Sequence, residues 1–352
     1  MGIIFSMKPE ITLITLNMNT CHFLKELLPS ISKQTFPRKN IEVIVGDNGS
    51  TDGSIEYVRK NFPYIKILRW RENCGVPKGY NRAWKASKGK YIVLVGSDTI
   101  LPRNLIENLY REIKRTKSAV VCATEFYPSE SMKQERKTNA LNILFYNSSE
   151  IIGSKDSVAF PDFNGCILDR SKMPNPPFDS DYFAYGEDVG LALSMFLSGK
   201  KMTVGKDCKI WHYGFGTSIT NSDISFFLNR NRLINILLFL EPLTIMKILP
   251  LLLADIITRL ALLAFMMQKK RLKNMLAAIL YIFGNFNTIL RKRHQIQSNR
   301  TVSDTDLLRK LSYRVYENFE KKSQTARILD IFIYYYCRLL GIKTYDGFDY
   351  EK

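Results

Sequence analysis

Along the first hundred residues, short apolar runs alternate with segments whose apolar positions recur every three or four residues. Residues 11–16, Ile-Thr-Leu-Ile-Thr-Leu, stop at Asn17-Met18-Asn19, which predicts a buried strand ended by turn formers. A helical pattern over 21–33 follows and is closed by Pro37. A second strand, over 41–45, stops at Gly46-Asp-Asn-Gly-Ser-Thr-Asp-Gly53. A helix over 53–61 ends before Pro63, and residues 65–68 predict a third strand. A glycine-punctuated loop over 75–87 leads into another helix, and residues 91–95 predict a fourth strand. This alternation predicts an α/β domain with a mostly parallel, Rossmann-like sheet. In such sheets ligands bind beyond the carboxyl ends of the strands, where the Asn17, Asp47 and Asp98 segments all fall. Between 118 and 212 the predicted strands shorten and the loops lengthen.

From residue 226 the texture changes. Residues 233–240 are nearly all apolar, and the 20 residues 248–267 hold only Asp255 and Arg259 as charges. Residues 268–300 then carry eight Lys and Arg and no acid, around an apolar stretch at 275–290. A membrane span needs about 20 apolar residues. The 248–267 stretch has that length, but Pro250, Asp255 and Arg259 interrupt it. Each charge at mid-bilayer would cost about 2.5–3.5 kcal/mol. The expectation is therefore helices lying in the interface, with Lys269-Lys-Arg271 and Arg291-Lys-Arg293 on anionic headgroups, at the cytoplasmic face of the membrane. A soluble helical subdomain packed on the α/β core is the competing reading.

Net charge supports this division. Residues 226–352 hold 21 Lys and Arg against 10 Asp and Glu, so +11 of the chain's +18 lies in its last third. No nucleic-acid-binding motif accompanies that charge, and its cations lie among apolar residues, so a nucleic-acid partner is not expected. The 6 cysteines are scattered without metal-ligand spacing, as in a reduced protein. Residues 1–6 lack a basic region or an apolar run long enough for a leader; Gly2 and Ser6 fit a short myristoylation pattern. Three domains are expected: a catalytic unit over 1–225, apolar basic helices over 226–300 and a helical tail over 301–352.

The chemistry-bearing residues are a lone carboxylate, Asp98, after an apolar run, and Tyr185-Gly186-Glu187-Asp188, followed 24 residues later by His212. A carboxylate, a histidine and a turn-borne acid can hold a divalent cation and a general base in one cleft, which suits a phosphorylated substrate. Asn73-Cys-Gly-Val-Pro-Lys-Gly-Tyr-Asn81 allows close backbone approach at Gly75, and Lys78 can meet a phosphate, although P-loop spacing is absent. Each residue also has a plainer role open to it. Asp47 can make an Asx turn, Asp188 can cap a helix, His212 can be a hydrogen-bonded partner of Trp211, and Arg230 and Arg232 can face headgroups or water.

In this order, Asn17, Asp47-Asn-Gly-Ser-Thr-Asp-Gly, Asn73-x-Gly with Asn81, Gly96-Ser-Asp98-Thr, Gly165, Phe183-x-Tyr-Gly-Glu-Asp188 and Trp211-His212 resemble a family 2 glycosyltransferase of the GT-A fold, of the rhamnosyltransferase-like group. The resemblance covers roughly residues 10–235. It implies that Asp47, with the Asn17 loop, contacts the nucleoside of a sugar-nucleotide donor (a UDP-, dTDP- or GDP-sugar), with Gly75, Lys78, Asn81, Arg230 and Arg232 also on the donor. It implies that Asp98 and His212 bind Mg2+ or Mn2+ at the diphosphate. Asp188 would be the base that deprotonates the acceptor hydroxyl for inverting attack, and Glu187 would orient the acceptor or fix the loop. The acceptor expected is a lipid-linked glycan or a polysaccharide.

The pattern also departs from the family. Gly96-Ser97-Asp98 leaves one carboxylate where the family has Asp-x-Asp, and Glu187-Asp188-Val189-Gly190 lacks a last acid. Asn229-Arg-Asn-Arg232 stands where processive members carry Gln-x-x-Arg-Trp, which implies transfer of one sugar. The incomplete acids equally fit a non-catalytic sugar-nucleotide binder, and a soluble acceptor fits if the basic helices only pack on the core.

Overall fold

The structure is a computed structural model that describes residues 8–128, 140–148, 163–214, 221–316 and 324–346. Residues 1–6, considered above for a leader and an acylation pattern, lie outside the described residues. The chain runs β1 (Ile11–Asn17), α1 (Cys21–Ser32), β2 (Ile41–Asp47), α2 (Ser54–Asn61), β3 (Lys66–Arg69) and α3 (Val76–Ala86). It continues with β4 (Tyr91–Gly96), β5 (Thr99–Ile100), α4 (Leu105–Thr116) and β6 (Val120–Phe126). A small pair, β7 (Ala140–Leu141) and β8 (Asn147–Ser148), precedes β9 (Cys166–Asp169), α5 (Glu187–Leu197) and the long β10 (Met202–His212). The helices α6 (Asn221–Phe239), α7 (Pro242–Phe265), α8 (Lys269–Gly284), α9 (Phe286–Ser298), α10 (Asp304–Leu308) and α11 (Gln324–Leu339) follow.

Eight strands form one mixed sheet in the order β3-β2-β1-β4-β9-β6-β10-β5. β1 to β4 are mutually parallel, β6 and β10 are parallel to each other, and β9 is antiparallel to both β4 and β6. The carboxyl ends of β1, β2, β4, β6 and β10 therefore share one rim with the start of β9. The strands alternate with period two, as two covered faces require. Leu13, Val43, Val93, Val121 and Ile167 point to one apolar cluster with α1 and α4, while Ile14, Ile44, Leu94, Cys122 and Cys166 point to the other. This confirms the expected α/β architecture with its helical C-terminal region.

The helical region is joined more closely to the sheet than its composition implies. The division expected at 225–226 falls inside α6, and Leu233, Ile236, Leu238 and Phe239 of that helix belong to the same cluster as Ile14 and Ile92 of the sheet. Pro250, expected to interrupt the apolar stretch, lies inside the 24-residue α7, which begins at Pro242. An interior proline costs roughly 3 kcal/mol. Burial of Ile248 and Leu252 on either side of it, at about 1.5–3 kcal/mol each, offsets that cost.

Asp255 and Arg259, the two charges expected to oppose membrane insertion, are turned toward the protein. Asp255 is buried and accepts from Tyr146 Oη (2.6 Å) and Arg259 Nε (2.7 Å), with Arg232 Nη2 at 3.5 Å. Among the described residues α7 is the single helix long and apolar enough to cross a membrane, by length and composition alone. Its apolar 18-residue stretch has a mean hydropathy of 2.1, and 17% of that stretch is buried.

Candidate active site

The carboxyl-end rim gathers Asn17, Asp47, Asp98 and His212 of the residues singled out in the sequence. Asn17 closes β1 and Asp47 closes β2, and the two face each other in parallel register. Asn17 Nδ2 donates to Asp47 Oδ1 (2.8 Å) and to Ser50 Oγ (2.8 Å), Thr20 Oγ1 donates to Asn17 Oδ1 (2.6 Å), and Ser50 N donates to Asp47 Oδ2 (3.2 Å). Arg69 Nε lies 3.6 Å from Asp47 Oδ2. Asp47 has no exposed surface, so in this arrangement its carboxylate braces the Asn17–Ser50 turn.

The second cluster is built by strand pairing distant in sequence. β5 pairs antiparallel with β10, setting Thr99 opposite His212, and Tyr213 N donates to Asp98 O (3.0 Å). His212 Nε2 thereby lies 3.2 Å from Asp98 Oδ2, while its Nδ1 lies 3.1 Å from Glu125 Oε2. Burial pulls the His212 pKa down, but the hydrogen bonds and charges of Asp98 and Glu125 outweigh it and push it up to about 9. Asn164 Nδ2 donates to Glu125 Oε1 (2.9 Å), and Asn164 Oδ1 accepts from Gly96 N (2.8 Å). The cluster thus runs from β4 through the start of β9 and β6 to β10.

This donor set fits a divalent cation held from one side. A carboxylate and an imidazole nitrogen face each other, and the other ring nitrogen meets a buried carboxylate, the arrangement that orients metal-binding histidines. Among the described residues no group of three or more His, Cys, Asp and Glu side chains is arranged to hold a metal ion alone. A cation here would draw its remaining ligands from substrate oxygens and water, as Mg2+ commonly does.

The acid-bearing turn reaches the same rim through backbone contacts. Val76 N donates to Phe183 O (2.8 Å), and Asn48, just past β2, donates to Gly75 O (3.4 Å). A Cβ on Gly75 would stand 2.5 Å from Phe183 O, so only glycine lets the two segments touch. Tyr185 and Gly186 both have left-handed backbone (φ 64° and 80°), and α5 starts immediately with Glu187 and Asp188 in its first turn. Asp188 Oδ1 accepts from Val189 N (2.7 Å). Burial raises the Asp188 pKa, with the backbone N–H groups of Val189, Asp188 and Gly186 opposing it.

The remaining predicted residues divide. Asn81 donates to Phe178 O (2.7 Å) and Ser180 Oγ (3.2 Å), fixing the segment before the turn, and Lys78 is exposed on α3. Arg230 and Arg232, expected on the donor, are both buried and held by contacts within the protein. Arg230 stacks on Phe226, Phe227 and Tyr281 and donates to Asp181 O (3.2 Å). Arg232 lies over Tyr146 and donates to Leu144 O (3.1 Å), beside Asp255. Their helix turns those positions inward, which an apolar-basic pattern by itself does not reveal. Sequence reasoning missed Glu125 and Asn164; an acid at the end of the buried run Val120–Phe126 and an amide before Gly165 were the available signals.

A sequence model described as Glycosyl transferase family 2 matches residues 12–174. Glycosyltransferase GlyG of Streptococcus pneumoniae is 34% identical over 116 residues, 32% of this chain and 38% of that protein. Poly(ribitol-phosphate) beta-N-acetylglucosaminyltransferase TarS of Staphylococcus aureus is 31% identical over 102 residues, 28% of this chain and 18% of that protein. The matched segment therefore spans well under half the length of either relative. The fold is similar to that of a mannosyltransferase from Pyrobaculum calidifontis solved with GDP-Man and Mn2+. That likeness has a TM-score of 0.50 at 15% identity and covers 95% of this chain and 86% of that one.

Proposed function

We propose that this chain, a member of glycosyl transferase family 2 through residues 12–174, transfers one sugar from a nucleotide-diphosphate donor to a hydroxyl of a glycan acceptor, with inversion. The observation that carries the reading is the shared rim. It sets the Asn17–Asp47 turn and the Asp98–His212 pair at the carboxyl ends of the strands, and the segment leading into Glu187-Asp188 meets the loop after β3 through the bond from Val76 N to Phe183 O. The nucleoside would lie over the Asn17–Ser50 turn that Asp47 braces, and the diphosphate toward Asp98. Asp98 and His212 Nε2 would hold Mg2+ or Mn2+, with Glu125 fixing the ring from behind. When bound, that ion neutralises diphosphate oxygens and makes the nucleoside diphosphate a better leaving group.

Asp188 would take the proton from the acceptor hydroxyl as its oxygen bonds to the anomeric carbon and the bond to the diphosphate breaks. Its burial raises the carboxyl's pKa, which strengthens it as a base. Gly75 brings Phe183, and hence the acid turn, onto the donor side, and exposed Lys78 on the following helix adds positive charge there. The buried pairing of Arg232 with Asp255 takes that arginine out of the donor set.

The acceptor reading is a lipid-linked or polymeric glycan at the cytoplasmic face of a membrane. Two observations support it: the similarity to TarS, a poly(ribitol-phosphate) beta-N-acetylglucosaminyltransferase, and an exposed apolar surface on α7 and α8. Ile257 and Phe265 of α7, Met267 after it, and Leu280 and Phe283 of α8 are exposed, as are Lys269, Lys270 and Arg271 at the start of α8. Nucleoside diphosphate release and thermal stabilisation across a panel of UDP-, dTDP- and GDP-hexoses test the function, because a saturating donor raises the melting temperature. One donor should stabilise the wild type in a Mg2+- or Mn2+-dependent way, and Asp98→Ala should remove that metal dependence. Stabilisation by a donor without turnover in the presence of membranes would instead leave a non-catalytic binder.

A further inference from the structure

The carbonyls of Ala184, Tyr185 and Gly186, directly before the acid pair, accept hydrogen bonds from two asparagine side chains of α6. Asn231 Nδ2 donates to Ala184 O (2.9 Å) and Tyr185 O (2.5 Å), and Asn235 Nδ2 donates to Gly186 O (3.2 Å). Asn235 Oδ1 accepts from Tyr182 Oη (2.5 Å), which fixes the amide with its nitrogen toward the turn. Asn231 Oδ1 accepts from Arg230 Nε (2.8 Å), with the same effect. Both asparagines are buried, at 1% and 2% exposure, and their four-residue spacing sets them on one face of α6.

The turn needs such restraint. A non-glycine residue in the left-handed region costs roughly 1–2 kcal/mol, and Tyr185 adopts it immediately before Gly186 does the same. A neutral hydrogen bond contributes about 0.5–1.5 kcal/mol net, so three donated bonds can outweigh that strain. The packing leaves no slack: a Cβ on Gly186 would stand 3.3 Å from Asn231 Cβ, and one on Gly190 would stand 3.3 Å from Asn235 Oδ1. Arg232, directly after Asn231, is tied to Asp255 of α7 and to Leu144 O, which fixes the rotation of α6 about its axis.

We propose that Asn231 and Asn235 are positioning residues that hold Glu187 and Asp188 in register for catalysis. The active site is then completed by a helix outside the family-matched segment. The proposal rests on Asp188 acting as the base. It makes α6 part of the catalytic unit, although α6 opens the stretch that reads by composition as a membrane-associated region.

The test uses the full chain with Asn231→Ala, Asn235→Ala and the milder Tyr182→Phe. Turnover is followed on the UDP-, dTDP- or GDP-hexose that the wild type uses best, alongside amide hydrogen exchange of residues 183–189. Each alanine variant should lower kcat by about 10- to 100-fold with donor KM within about threefold, the pattern of a displaced catalytic group. Exchange over 183–189 should quicken about tenfold while β1 and β4 stay protected. Tyr182→Phe, which keeps both amide donors but frees the Asn235 amide to turn, should lose about three- to tenfold in kcat.

Wild-type kcat and exchange in both alanine variants would overturn the proposal. So would a loss shared equally by kcat, donor binding and exchange of the whole sheet, since that is general destabilisation. If the alanine variants fail to fold, unchanged kcat and exchange in Tyr182→Phe overturn it. Asp188→Asn, measured in parallel, separates the two layers. Full activity there removes the base assignment, while the exchange arm still reports whether the asparagines hold the turn.

Discussion

Replacing Glu125 with Gln asks whether the buried carboxylate behind His212 supports metal binding. Glu125 is 1% exposed, and its two oxygens serve Asn164 (2.9 Å) and His212 Nδ1 (3.1 Å). Gln keeps the shape and one acceptor but removes the charge that, with Asp98, opposes the desolvation of the imidazole. Outer carboxylates of this kind typically contribute about 10- to 100-fold in metal affinity or activity. That factor corresponds to about 1.4–2.7 kcal/mol. The Mg2+ or Mn2+ concentration giving half-maximal nucleoside diphosphate release should therefore rise by about 10- to 100-fold. Excess metal should restore kcat to within about threefold, because Gln leaves Asp98, His212 and Asp188 in place. Glu125→Ala should bind metal no better than Gln and melt lower, since it strips partners from a buried amide and a buried ring. An unchanged half-saturating concentration in the Gln variant would refute the outer-carboxylate role. A wild-type enzyme indifferent to metal chelation would refute the metal site altogether.

Asp188→Asn should abolish transfer while donor binding persists, and it should also raise the melting temperature at neutral pH. The sign follows from burial: a folded-state pKa above the unfolded value of about 3.9 means that stability is lost as pH rises through that interval. Melts at pH 3.5 and 7.5 check this, and equal shifts at both values would count against the burial argument. Asp255→Ala should destabilise the protein by about 3–5 kcal/mol, because it strands the buried guanidinium of Arg232. Denaturant midpoints should then show the Arg232→Met, Asp255→Leu double variant recovering most of the loss, and a double variant no better than the single would refute the pairing. Reversing Lys269, Lys270 and Arg271 to Glu should release the chain from anionic vesicles, and retention on them at low salt would remove these cations from any membrane contact.

The sequence by itself determined the strands, the helices between them and the side of the sheet on which chemistry could occur. Period-two and helical spacing are local properties, and a buried strand must stop where turn formers such as Asn17, Asp47 and Gly96 appear. The turn before Glu187-Asp188 was legible from Gly186, whereas the left-handed backbone of Tyr185 was not. Tertiary structure decided which of those ends meet. Antiparallel β9 enters between β4 and β6, and β5 pairs with β10, so Asp98, Glu125 and His212 converge from strands up to 114 residues apart. The direction a charged side chain takes on an apolar helix was decided the same way. Arg232 read as a donor contact or a cation facing headgroups, and Asp255 as a membrane liability, yet the two lie 3.5 Å apart in the interior. Hydrophobic patterning fixes which surface an element buries but leaves open which partner arrives there, and a buried charge or amide takes its role from that partner.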